Sequence, residues 1–370
     1  MAGKGVYWPS EISEFRDRVT GASLLQVTSH SSISHPTYFL QSSFTPDGSS
    51  VIFTSYRTGS AQLFAADLKS GDIRQLTDGP AIHPFSPLIA GDFLVFVRAG
   101  SVWRLDRQSL EEVEIVNFAD GQLGECSLSA DGWLTAAIRR GSQAGLVVGR
   151  MDGADWKFIP FERTVIHPQF HPVEPDWLIF AGDPAPRMYR IRRDGSGLEC
   201  LYQHGNDEFL VHETFLGSTG NIVFTVWPRQ LCQMDWTTRQ IREIVAFNAW
   251  HIASNKAGTQ VLCDTNHPDR GIFLIGVADG SRKHICMSDA SNGGSQWRES
   301  RYALADDFAR ARSAAQASGT LSWMEASTDT VYGPQWTHPH PSFSADEKRI
   351  AFASDRTGTT QVYVADIESL

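Results

Sequence analysis

The chain has 370 residues, 41% hydrophobic and 20% charged, an ordinary balance for a globular protein with a real core. Its 42 acidic residues outnumber 32 basic ones, for a net charge of −10, which argues against non-specific binding to nucleic acid or to an anionic membrane. No apolar run approaches the ~18 residues of a membrane span, the first residues lack a signal-peptide core, and the five cysteines are scattered, never as Cys-x-x-Cys, so a reducing, cytoplasmic setting is expected.

In chain order, the first strand-like run is Ser23-Leu-Leu-Gln-Val-Thr28. Next comes Gln41-Ser-Ser-Phe-Thr-Pro-Asp-Gly48 before Val51-Ile-Phe-Thr54, where Asp-Gly between two strand-like runs predicts a hairpin. The pattern recurs at His167-Pro-Gln-Phe-His-Pro172 before Trp177-Leu-Ile-Phe180, and at His340-Pro-Ser-Phe-Ser-Ala-Asp346 before Arg349-Ile-Ala-Phe352. Alignment on the residue three before the aromatic, or its stand-in, gives Gln41, His83, Glu125, His167, His212, His251 and His340. The separations are 42, 42, 42, 45, 39 and 89.

Seven units of about forty residues, each with several short strands, predict an all-β, seven-bladed β-propeller spanning 1–370 as one domain. The long last gap places an insertion at about 290–332 in the sixth blade, with a helix-prone alanine-rich centre at Tyr302–Gln316. The chain ends after Gln361-Val-Tyr-Val-Ala-Asp366, which reads as the third strand of a blade. Ser23–Thr28 resembles the blade-ending Ile73-Arg-Gln-Leu-Thr77, so the N-terminal strand is expected to complete the last blade and remove an exposed edge.

The innermost strand of a propeller blade lines the axial channel, so residues at one repeat position form a ring. That ring holds five of the chain's 12 histidines. A single such histidine more often merely hydrates a channel; the concentration favours a metal site. In Gln335-Trp-Thr-His338-Pro-His340, residues two apart on an extended strand share a side, and Gln335 adds an amide oxygen from a preceding turn. His251 on the adjacent sixth blade completes a four-ligand set. Three imidazoles and an amide suit Mn2+, Zn2+ or Ni2+, and the residue types do not choose among them. Other residues read as structural: His267 in a surface loop, His171 in a turn, and Arg57 and Arg356 in matching Arg-Thr-Gly turns. His83 and Glu125 lie farther around the axis.

At Gln335-Trp-Thr-His-Pro-His-Pro-Ser-Phe343 the chain resembles the oligogalacturonate lyases of polysaccharide lyase family 22, following their Gln-x-x-His-Pro-His-Pro-Ser-Phe motif. His251-Ile-Ala-Ser-Asn255, Val211-His-Glu-Thr-Phe215, Arg187-Met-Tyr189 and Tyr38-Phe-Leu-Gln41 with nearby His35 are similar to other family segments. The resemblance implies a manganese ion on His251, Gln335, His338 and His340. It also implies His212 as Brønsted base, Arg187 as its electrostatic partner, and β-elimination on an anionic oligogalacturonide. Two departures bear on substrate identity: the segment between Phe180 and Arg187 is short, and the insertion is long. Two other readings remain open from the residues, a non-catalytic TolB-like interaction module and another metal-dependent sugar-acid enzyme.

Overall fold

A computed structural model describes residues 3–182, 185–205, 208–266, 268–292 and 335–367. Strands form seven separate antiparallel sheets, the seven blades of a propeller. Blade one contains Ser34–Pro36, Ser50–Ser55, Gln62–Asp67 and Ile73–Gln75; blade two contains Leu88–Ala90, Phe93–Arg98, Ser101–Asp106 and Glu112–Asn117. Blades three to six begin with Gln122–Leu128, Ile166–Phe170, Phe209–Phe215 and Ala249–Ser254, and each adds three further strands in simple meander order. Blade seven is built from Ser342–Phe343, Arg349–Ser354 and Gln361–Asp366.

Why the second strands read as nearly unbroken apolar runs is clear from their place. Ser50–Ser55, Phe93–Arg98, Ile222–Trp227 and Arg349–Ser354 lie between neighbouring blades and are buried on both faces. The hydrophobic clusters follow the same logic. Ile52, Leu63, Leu94 and Phe96 join blades one and two; Leu262, Ile285, Ile350 and Phe352 join blades six and seven.

Closure follows the expected route and goes further. Ser23–Gln26 pairs antiparallel with Gln361–Asp366, with Leu24 opposite Ala365 and Leu25 opposite Val364. Ser13–Arg16 then adds a fifth strand to blade seven, and Tyr7–Trp8 adds a fifth to blade one. Between them Glu11 grips Arg57 through Nη1 at 2.8 Å and accepts from the backbone of Ser29 and His30. One N-terminal segment thus fastens both blades at the seam.

The Arg-Thr-Gly turns are structural, as read from the sequence. Arg57 and Arg356 each bond a serine hydroxyl two residues back, Ser55 and Ser354. Their guanidinium groups lie over Phe53 and Phe64, and over Phe352 and Tyr363. His171 closes a turn by accepting from the backbone of Val173 and Glu174. The insertion expected at about 290–332 follows the outermost strand of blade six, Arg282–Cys286. From 293 on it lies outside the described residues, as do His267 and part of the segment before Arg187.

Candidate active site

Four of the innermost strands carry a β-bulge at the channel. The register shifts between Leu123 and Cys126, Ile166 and Gln169, Val211 and Thr214, and Ala249 and Ile252. A bulge sets two residues against one, so two consecutive side chains are re-aimed at a site that a regular strand would offer to only one. His167 and His212 occupy the first bulge position at φ of 54° and 48°, the left-handed region that histidine tolerates better than most residues. The second position holds Glu125, Glu213 and His251. The ring drawn from spacing is therefore shifted by one residue at Glu125 and His251.

In blade one the ring position is not filled by Gln41. The segment Thr37–Ser43 is folded on itself, the Thr37 amide donating to Ser43 Oγ at 3.0 Å and the Gln41 amide to the Tyr38 carbonyl at 2.8 Å. Gln41 turns aside to the Cys126 carbonyl. Phe39 enters the channel instead, its ring 5.3 Å from that of His212, 5.2 Å from His251 and 5.5 Å from His167. With Tyr38, Phe85, Phe209, Trp227 and Trp250 it forms an axial apolar cluster. Spacing alone could not reveal this plug, because it comes from a loop outside the repeat.

The proposed metal ligands converge. The side-chain nitrogens of His251, His338 and His340 lie within 4.8 Å of one another, all buried. His338 and His340 do meet, but not by the strand alternation that the sequence predicts. Gln335–Thr337 is a 3-10 turn, and His340 takes φ of 46° before the strand begins at Ser342. Gln335 is buried, with Oε1 3.2 Å from His340 Nε2. His251 is held at two points by Asp264, whose Oδ1 accepts from the His251 amide and Oδ2 contacts Nδ1, both at 2.7 Å. Its Nε2 is buried with no hydrogen-bond partner, a costly arrangement unless that nitrogen serves another atom. Burial pushes the Asp264 carboxyl up to about 8, and a cation on Nε2 favours its ionised form through the carboxylate–histidine pairing common around metals. Burial also holds His251 and His340 well below the ordinary imidazole value, keeping them neutral and able to ligate. These features fit a divalent ion.

His212 lies beside this group, its ring 4.4 Å from His251 and 4.6 Å from Trp250. Burial first, then the neighbouring His251 and His167 rings and the Arg187 charge, hold it well below its usual value. Nδ1 has no hydrogen-bond partner. Arg187 is buried, and its amide donates to His204 Nε2 at 3.0 Å. Its Nε donates to Glu213 Oε2 at 3.1 Å. His83 and Glu125 are buried on blades two and three, outside the three-histidine group.

The profile of the oligogalacturonate lyase family matches residues 2–139 and 162–369. The chain belongs to that family. An oligogalacturonate lyase of Dickeya dadantii (strain 3937) is 25% identical over 396 residues, covering 95% of each chain. An oligogalacturonide lyase of Pectobacterium atrosepticum is 24% identical, covering 98% of each. Among solved structures, an oligogalacturonate lyase in complex with manganese superposes with a TM-score of 0.82 at 21% identity, over 99% of this chain and 98% of that one. The oligogalacturonate lyase of Vibrio parahaemolyticus gives 0.79 at 19% identity, over 98% of both. The propeller is thus the fold of the oligogalacturonate lyase family along its whole length. Among the described residues no helix is long and apolar enough to cross a membrane.

Proposed function

We propose that this protein is a metal-dependent lyase that cleaves short oligogalacturonides, or related uronate oligosaccharides, by β-elimination. The observation that carries the reading is a neutral histidine, His212, packed against three convergent buried histidines in a chain of this family. His251, Gln335, His338 and His340 would hold the ion, and manganese is the first to test because a structural relative carries it. When bound, a divalent cation supplies positive charge to the uronate carboxylate, easing the negative charge that develops there as the C5 proton leaves.

The chain's own groups account for the remaining steps. Neutral His212 accepts the C5 proton, and its depressed pKa keeps the lone pair available near neutral pH. The electron pair of the C5–H bond becomes the C4–C5 double bond, the C4–O bond breaks, and O4 leaves and takes up a proton. Arg187, held from one side by Glu213, adds cationic charge beside the reacting carboxylate. Phe39 and its aromatic neighbours close the channel around His212 and limit water at the base. The five cysteines are all free, in keeping with a cytoplasmic, reducing location.

Replacing His212 by alanine separates the two halves of the site. His212→Ala is expected to bind manganese at wild-type stoichiometry while turnover on digalacturonate falls below detection. Substantial residual elimination in that variant would remove His212 as the base. Loss of the metal would instead place it among the ligands.

A further inference from the structure

Glu213 is fully buried yet carries a charge. Burial alone pushes its carboxyl up, but the Arg187 charge and the hydrogen bond from His167 outweigh it and hold the group at about 2. Its two oxygens are divided between two partners. Oε2 accepts from Arg187 Nε at 3.1 Å, and Oε1 lies 2.9 Å from His167 Nδ1. The chain continues, because the Tyr38 hydroxyl lies 2.8 Å from His167 Nε2. An ionised carboxylate only accepts, so His167 carries a proton on Nδ1, and in the neutral ring Nε2 accepts the hydrogen bond from the Tyr38 hydroxyl. The three bonds Tyr38–His167, His167–Glu213 and Glu213–Arg187 then each have one donor and one acceptor, and Arg187 Nη2 also approaches His167 Nδ1 at 3.4 Å, donor beside donor, next to the carboxylate that serves both side chains.

The backbone explains how Glu213 reaches this place. It fills the second position of the bulge in blade five, the position His251 fills in blade six, directly after His212. On a regular strand His212 and Glu213 would face opposite sides. Gln169 Nε2 donates to the Glu213 carbonyl at 2.9 Å and fixes the main chain from blade four. Without Glu213, Arg187 would keep its backbone tie to His204 but lose the carboxylate that its Nε reaches.

We propose that Glu213 is the positioning residue of the uronate site, locking Arg187 and His167 into one rigid wall beside the proposed metal ligands, where the ring of Tyr38 at the end of the row lies 4.9 Å from that of His340. The proposal rests on the reading of Arg187 as the group that meets the substrate's carboxylate. Glu213 itself touches neither substrate nor ion. Its work is to fix the Arg187 guanidinium by its Nε edge and to set the tautomer of His167. A guanidinium displaced by an ångström costs far more in the transition state than in ground-state binding.

The test uses the full-length, manganese-loaded protein and its Glu213→Ala, Glu213→Gln and Glu213→Asp variants. Metal content, kcat and KM on digalacturonate, the Kd for free galacturonate, and the 15N resonances of His167 are measured for each. Metal content should stay at the wild-type value throughout. In Glu213→Ala, kcat should fall on the order of 100-fold with a smaller change in KM, the galacturonate Kd should rise, and the Nδ1–H signal of His167 should be lost. Glu213→Asp should recover part of kcat. Should the alanine variant fail to fold, Glu213→Gln decides, since it keeps the volume and one acceptor but removes the charge, and a fall in kcat at full metal content is expected. Wild-type kcat and KM in the variants, or a loss of activity that only tracks loss of manganese, would overturn the proposal. An inactive wild-type enzyme would defeat the lyase reading alone. The galacturonate affinities and the His167 resonances would then decide the role of Glu213, and unchanged values of both in the alanine or glutamine variant would refute it.

Discussion

A buried imidazole must be told which nitrogen to present, and at His251 that instruction comes from Asp264. With both contacts at 2.7 Å, the carboxylate fixes the backbone and the ring together and directs Nε2 towards His338 and His340. Replacing Asp264 by asparagine keeps the shape but removes the acceptor-only character of the group. Manganese affinity is expected to fall about 10–100-fold, read by calorimetric titration, while the propeller stays folded. Unchanged affinity would mean that His251 is oriented by packing alone. Asp264 is invisible to motif reading because it lies on the partner strand, 13 residues from His251. Glu213 was in plain view beside His212. A repeat alignment does not mark it, because it allots one channel position to each blade and the bulge supplies two.

At the scale of elements, the sequence is most legible where geometry repeats. The period near forty, the apolar second strands and the resemblance of Ser23–Thr28 to a blade end were enough to predict the seam. The seam's energy is concentrated in residues such as Leu24, fully buried against Ala365 and the blade six–seven cluster. Leu24→Ala should cost about 2–5 kcal/mol, measured as a shift in the urea unfolding midpoint at constant slope; a loss below ~1 kcal/mol would show that the outer strands Ser13–Arg16 and Tyr7–Trp8 carry the closure instead. Local exceptions to the repeat were not legible. The 3-10 turn at Gln335–Thr337 and the left-handed His340 bring two histidines together by a route that strand periodicity does not contain. The Thr37–Ser43 loop, which places Phe39 on the axis, has no counterpart in the other blades to reveal it.

For the molecule as a whole, a net charge of −10 must coexist with an anionic substrate, so attraction has to be local. The proposed site would meet this with cationic charge in two places near His212: Arg187 on blade four, and a metal ion if His251 on blade six and the residues leading into blade seven hold one. A ring of blades suits such a site, because His212 on blade five, His251 on blade six and the segment with Gln335, His338 and His340 leading into blade seven converge from neighbouring sheets that brace one another. If these parts perform an elimination, the masses of the products record it. Digalacturonate is incubated with the manganese-loaded protein, with a chelator control, and the fragments are weighed by mass spectrometry. Metal-dependent elimination gives two fragments whose masses sum to that of the substrate, one of them unsaturated, both vanishing with the chelator. Fragments heavier in sum by one water, or cleavage that persists in the chelator, would contradict it.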